Sequence, residues 1–169
     1  MTMGNKLRRY IGATDESLCD TECLKRTYPD AELVVSSPMK RCVETAEFIY
    51  PDKNRIIIDD LRECDFGIFE NKSYEDLKNN SAYKKWLETM CKMPCPGGES
   101  HDEFKKRCIK SFNEIISQNP KTDIAFVIHG GTIMAIMESI FDDGFFDYQV
   151  RNGSGYVIDI AERKIISQL

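Results

Sequence analysis

Asp123-Ile-Ala-Phe-Val-Ile-His129-Gly-Gly-Thr132-Ile-Met-Ala-Ile-Met137 is the stretch whose reading decides the fold. Ile124 to Ile128 form an uninterrupted apolar run, the pattern of a strand buried on both faces of a parallel sheet. The chain turns through His129-Gly130-Gly131 and continues as a strongly helical apolar segment, with Thr132 as the expected cap. Strand, glycine turn and helix start together gather backbone N–H groups and the positive end of a helix dipole around one point, which suits an anion. His129 stands at that point, which marks it as a functional imidazole and leaves open where its partners lie.

The flanking sequence repeats the alternation. Leu33–Ser36 reads as a strand, Ser37-Pro38 as a break, and 39–49 as a helix with Cys42, Val43, Ala46 and Ile49 at helical spacing. Residues 55–58 form another strand, followed by a loop over 61–67. Short helices are expected over 73–78 and 82–91, with Trp86 and Leu87 facing inward, before a hard break at 94–98. A long amphipathic helix follows over 102–118, and 155–160 with 164–167 make a terminal strand pair. Residues 1–17 lack periodicity and are expected as extended loop, and 22–28 as a short helix ended by Pro29. The pattern predicts an α/β fold, an open and mostly parallel sheet with helices on both faces, in a single domain over 1–169.

Composition narrows the function classes. A net charge of −5 argues against a broad nucleic-acid surface, although Lys6, Arg8, Arg9, Lys40 and Arg41 could line a small basic pocket. No apolar run approaches the roughly 20 residues of a membrane span, and no signal peptide is visible, so a cytoplasmic setting is expected. Seven cysteines are scattered singly; Cys19/Cys23 and Cys91/Cys95 lack a matching second set of ligands, so reduced thiols are expected rather than a metal site.

In an open α/β sheet, ligands bind beyond the carboxyl ends of the strands. Three chemically interesting places follow strands here: Ser36-Ser37-Pro38, Leu61-Arg62-Glu63 and His129-Gly130. Phosphate loops of the G-x-x-x-x-G-K-[ST] type, G-x-G-x-x-G, a G-x-S-x-G elbow and a Cys with Arg six positions later are all absent. What remains is a histidine, an arginine and a carboxylate. Arg41 lies in the first turn of its helix, an unfavourable place for a cation unless it shares an anion with that helix. Among Asp59, Asp60, Glu63 and Asp65, residue chemistry alone does not choose.

Four motifs in order settle the resemblance: Ser36-Ser-Pro-Met-Lys-Arg41-Cys-Val-Glu-Thr45-Ala46, Leu61-Arg-Glu63-Cys-Asp-Phe66-Gly67, Pro96-Gly-Gly-Glu99-Ser100 and Ile128-His129-Gly130-Gly131. Together they resemble the histidine phosphatase superfamily, the phosphoglycerate mutase-like fold, over almost the whole chain. Arg9 to Asp15 is most similar to the α-ribazole phosphatase branch. The resemblance implies hydrolysis of a small phosphorylated metabolite through a phosphohistidine, without cofactor or metal. Arg41 would bind the phosphoryl oxygens and His129 would stabilise them from the opposite side. Glu63 would protonate the leaving oxygen and later accept a proton from water, its pKa raised by burial or by Asp65. Asn5 and Gly130 would contact phosphate. The partner implied is a small-molecule phosphate ester.

One element of the family pattern is absent. No Arg-His-Gly occurs in these residues, and the other histidine, His101, follows Gly-Gly-Glu-Ser at a helix start and is expected at a rim or cap. Met1-Thr-Met-Gly-Asn5 resembles the continuation of that motif, so the chain is expected to lack the first central strand and its nucleophile, and to be inactive as it stands. A longer active protein with an upstream start, a shortened paralogue without catalysis, and a trimmed form of the chain would each explain this. The unpaired sheet edge left behind would favour a homodimer. The short stretch between Glu70 and Gly98 favours a phosphatase over a mutase, which remains the nearest alternative reaction; a catalytically dead phosphate-ligand-binding protein is the alternative of another class.

Overall fold

Apolar β-branched residues flanked by breakers build the centre of the molecule. The computed structural model describes residues 1–169, and in it β1 (Leu33–Ser36) is the middle strand of a parallel three-stranded sheet ordered β2-β1-β3. β2 (Arg55–Ile57) pairs Val35 with Ile56, and β3 (Ile124–Val127) pairs Val35 with Phe126. Val34 and Val35 point to opposite sides of the sheet and both are 0% exposed, so both faces of β1 are covered. α2 (Lys40–Ile49) packs on β1 and β3. On Val35 sit Phe112 and Ile115 of α5 (His101–Gln118) and Ile136 of α6 (Gly130–Phe141), closed by Leu61. This is the expected α/β architecture with parallel central strands.

A second apolar cluster forms beside the sheet. α3 (Tyr74–Leu77) and α4 (Ser81–Glu88) bring Leu77, Tyr83 and Trp86 against Phe69 and Cys95. Tyr10 reaches this cluster, with its hydroxyl 2.6 Å from that of Tyr83 and its ring edge-on to Trp86. Leu87, expected inward, is 40% exposed: Tyr83 and Trp86, three apart, with Ala82 beside them, are the α4 residues that face the cluster.

Other expectations need correction. Residues 1–17 are not all loop: α1 (Met3–Lys6) forms because Thr2 and Asn5 cap each other reciprocally, a local hydrogen-bond device that leaves no periodicity. Residues 22–28 form only one 3₁₀ turn, Glu22–Leu24. α6 begins at Gly130 with His129 as its N-cap; Thr132 is instead buried in the first turn, its hydroxyl directed at the Leu61 carbonyl. β3, expected buried on both faces, is only half-buried along its length, because β1 is its sole strand neighbour. β4 (Tyr156–Asp159) and β5 (Lys164–Gln168) pair antiparallel with each other and with nothing else. No helix is long and apolar enough to cross a membrane.

Candidate active site

The ends of β1 and β3 deliver the central pair of residues. Ser37 follows β1, and α2 then starts at once, which turns the Arg41 side chain back toward the strand ends; His129 follows β3. Both are buried, each 7% exposed. Arg41 Nε donates to His129 Nδ1 at 3.2 Å, so that nitrogen carries no proton. The proton therefore sits on Nε2, which donates to Ser37 Oγ at 2.7 Å. His129 is thus a neutral imidazole of defined tautomer. Burial, and next the charges of Arg41 and Arg107, hold its pKa well below the ordinary value of 6.5.

The terminal nitrogens of Arg41 also hold a single loop and leave one N–H uncommitted. Its terminal nitrogens donate to the carbonyls of Thr14 at 2.8 Å and Gly12 at 2.9 Å, and more weakly to Ile11. That loop is held from behind by Glu70, which accepts from the amides of Gly12, Ala13 and Thr14 and from the Thr14 hydroxyl at 2.7 Å. Glu70 escaped sequence reasoning because one carboxylate among 28 acidic residues carries no local signature.

Glu63 comes from the loop after β2. Its two oxygens accept from the amides of Cys64 and Gly131, both at 3.0 Å, which places the carboxyl at the N-terminus of α6. Burial is the dominant influence and pushes its pKa above the ordinary 4.5, against the opposing pull of those amides and of Arg41 and Arg107. Asp65 plays no part in this; its carboxylate accepts from the Gly67 amide instead. The paired glycines now have separate reasons. A Cβ on Gly131 would lie 2.2 Å from Glu63 Oε1, whereas one on Gly130 would meet nothing within 4 Å. Gly130 leaves the mouth open, and Gly131 admits the carboxyl.

Arg107 on α5 is the second residue that sequence reasoning missed. It grips Glu99 with two nitrogens at 2.6 and 2.7 Å and donates to the carbonyls of Asp60, Arg62 and Glu63 at 2.7, 2.7 and 2.9 Å. The Glu63 loop is therefore pinned by a half-buried guanidinium that the Pro96–Ser100 turn helps to hold. A signal was present: Arg107 lies three residues after Phe104 and directly before Cys108, a cation inside an otherwise apolar stripe.

Asn5, Arg41, Glu63, His129 and Gly130 all line one cavity of about 610 Å³. Arg41 and His129 are in direct contact, Glu63 joins them through the first turn of α6, and Asn5 reaches the cavity from α1. Asn5 hydrogen-bonds neither Arg41 nor His129; its side chain accepts from the Thr2 amide at 3.2 Å and from Asn152 at 3.4 Å. His101 is elsewhere, edge-on to Phe145 at 4.7 Å, while Ser100 does the capping of α5. Cys42 lies 3.5 Å from His129 Nε2, but burial pushes its thiol up to about 12, so it is no nucleophile near neutral pH. No group of three or more His, Cys, Asp or Glu side chains is placed to hold a metal ion.

Comparisons with known proteins bear on the family and the fold. Residues 2–168 match the histidine phosphatase superfamily, branch 1. A relative from Hydrogenobacter thermophilus named "Putative phosphoserine phosphatase 2" is 31% identical over 131 residues, covering 75% of this chain and 63% of its own length. The chain thus spans less than two thirds of that relative. A phosphoglycerate mutase structure from Thermus thermophilus superposes with a TM-score of 0.76 at 27% identity, over 100% of this chain and 93% of that one. The α-ribazole phosphatase structure from Shigella flexneri shares the fold, with a TM-score of 0.79 at 20% identity, over 94% of this chain and 87% of that one. A motif order that runs Arg41, Glu63, Glu99, His129, and a fold that gathers or braces all four around one strand-end cavity, make this chain a member of the histidine phosphatase superfamily, branch 1.

Proposed function

We propose that the Arg41–His129–Glu63 cavity is the phosphate-ester site of a histidine-type phosphomonoester hydrolase. The observation that supports it most is the arrangement of a fixed guanidinium, a neutral imidazole and a protonatable carboxyl at the N-terminus of α6 in one cavity. Phosphoryl transfer is accelerated chiefly by such pre-positioned charge and hydrogen-bond donors around the moving oxygens. The substrate class is a small phosphorylated metabolite, for which phosphoserine and an α-ribazole phosphate-like ester are the first probes.

The step balances as follows. An imidazole nitrogen takes the phosphoryl group as the P–O ester bond breaks. Glu63, whose hold on a proton burial strengthens, gives that proton to the leaving oxygen. Water then attacks the phosphohistidine while Glu63 takes a proton back, releasing inorganic phosphate. His129 is engaged at both nitrogens, which suits a stabilising donor, and His101 lies outside the cavity. The attacking imidazole is therefore neither histidine of this chain. The engagement of His129 and the distance of His101 from the cavity favour a second reading, a protein that binds a phosphate ester without turning it over.

The test is a pair of measurements on the 169-residue chain. Inorganic phosphate and phosphoserine should bind, and Arg41→Met should weaken both by more than tenfold. Incubation with a ³²P-labelled monoester should leave no acid-labile label. A label on the chain would require His101 or His129 to be the nucleophile, and binding unaffected by Arg41→Met would remove the site.

A further inference from the structure

Gly153 is a glycine by necessity of the fold. Its φ of +73° lies in the left-handed region, and a Cβ there would stand 2.5 Å from the Cys23 carbonyl oxygen. The residue before it, Asn152, is exposed and lines the same cavity as Arg41 and His129. Its side-chain amide donates to Asn5 Oδ1 at 3.4 Å, a long bond that joins the 151–154 turn to α1. The turn is closed by the Ser154 amide on the Arg151 carbonyl at 2.9 Å and anchored by the Tyr28 hydroxyl on the Gly153 carbonyl, also at 2.9 Å. Neither bond uses the Gly153 amide nitrogen, which has no acceptor in the protein. An asparagine side chain followed by an unhindered and uncommitted amide nitrogen is the arrangement from which an asparagine loses its amide intramolecularly. Asn152-Gly153 is the only Asn-Gly pair in the chain; the other asparagines precede larger residues, and Asn119 precedes a proline with no N–H.

We propose that Asn152 is a site of spontaneous deamidation, and that the carboxylate it becomes lowers the affinity of the cavity for anions. The Gly153 amide nitrogen gives its proton to solvent base and attacks Asn152 Cγ. The new C–N bond forms as the Cγ–Nδ2 bond breaks, and ammonia leaves with a solvent proton. Water then opens the cyclic imide at either carbonyl, giving aspartate or, with the main chain rerouted through Cγ, isoaspartate. Solvent water is the only co-reactant, and no atom changes oxidation state. Either product puts an acceptor where Asn152 presented a donor to Asn5, and it adds a negative charge to the cavity wall. Asn5 Oδ1 then keeps only the Thr2 amide, at 3.2 Å. The loss of anion affinity rests on the phosphate-ester reading of the cavity; the chemistry at Asn152 does not.

The experiment ages the 169-residue chain in mildly alkaline buffer, where the amide nitrogen gives up its proton more readily. Intact mass, peptide maps and the binding of inorganic phosphate are followed together. The amide-to-acid mass gain should appear first at residue 152, as a mixture of aspartate and isoaspartate. Phosphate binding should weaken in the aged chain by about threefold or more, the size expected of one added unit charge across a wet cavity. Asn152→Asp should reproduce the weakening without ageing. Asn152→Gln, whose longer side chain must close a larger and less favourable ring, should age without a mass gain at 152 and keep its phosphate affinity. The site is overturned if other asparagines convert while Asn152 stays an amide. The consequence is overturned if aged and fresh chains bind phosphate alike while Arg41→Met still weakens binding. Phosphate binding indifferent to Arg41→Met would overturn the phosphate-ester reading and the loss of affinity with it, and the mass at residue 152 would then decide the deamidation alone.

Discussion

Glu63 and His129 sit within one site but respond to pH in opposite senses. Glu63 binds its proton more tightly when folded, its pKa lying above 4.5, so its contribution to stability is present in acid and is lost as pH rises through the folded value. His129 is held below 6.5, so its contribution is full above about 6.5 and is lost as pH falls toward the folded value. In Glu63→Gln the decline that sets in above 4.5 should vanish, leaving only the rise of stability with pH toward about 6.5, whereas the parent carries both slopes. Calorimetry of both chains from about pH 4 upward checks this, and identical pH profiles would assign the decline to another group. The two neighbouring glycines offer a second contrast. Gly131→Ala should displace the Glu63 carboxyl and cost about 1–3 kcal/mol, because the new Cβ would sit 2.2 Å from Oε1. Gly130→Ala should cost far less, since nothing lies within 4 Å. Equal losses in both variants, measured by denaturant titration, would contradict this account.

At the level of elements, one arginine carries more of the site than its place in the α5 sequence suggests. Arg107 and Glu99 are only 11% and 16% exposed at their side chains, and Arg107 closes three carbonyls around the Glu63 loop. Arg107→Met should destabilise the chain by about 3 kcal/mol, since it leaves Glu99 and those carbonyls unpaired, with a coupling to Glu99→Gln visible in a double-mutant cycle. Additive single losses would show that the pair acts independently. The strands, the long helix α5 and the strand-end positions of Arg41, Glu63 and His129 were legible because each follows from a local pattern, apolar periodicity ended by a breaker. Glu70 was hidden because its work is done on backbone amides more than 40 residues away in the chain, and Arg107, though marked by its place in an apolar stripe, gave no sign that its targets are carbonyls equally distant. The half-exposure of β3 was hidden for a related reason: apolar runs report what a strand can be buried against, not whether a neighbour is there.

For the molecule as a whole, the two apolar clusters divide the work. The one around Val35 holds the sheet, and the aromatic one around Phe69, Tyr83 and Trp86 anchors Tyr10, which precedes the loop that Arg41 grips. Trp86 is the only tryptophan, so its emission isolates the aromatic cluster. Phe69→Ala should cost about 3–5 kcal/mol and red-shift that emission, and it should also weaken phosphate binding by loosening the 11–14 loop; unchanged binding would separate the clusters functionally. The thiols add a practical corollary. Burial pushes Cys42, Cys95 and Cys108 up to about 12, which leaves them protonated and slow toward electrophiles. Cys19 is the one exposed cysteine, and its amide and sulfur both bond to the Met1 carbonyl, at 3.0 and 3.3 Å, while Met1 itself lines the cavity that holds Arg41 and His129. A fluorophore coupled there would ride on the rim of that cavity, so the chain comes with a ready-made attachment point for an optical signal of what enters it.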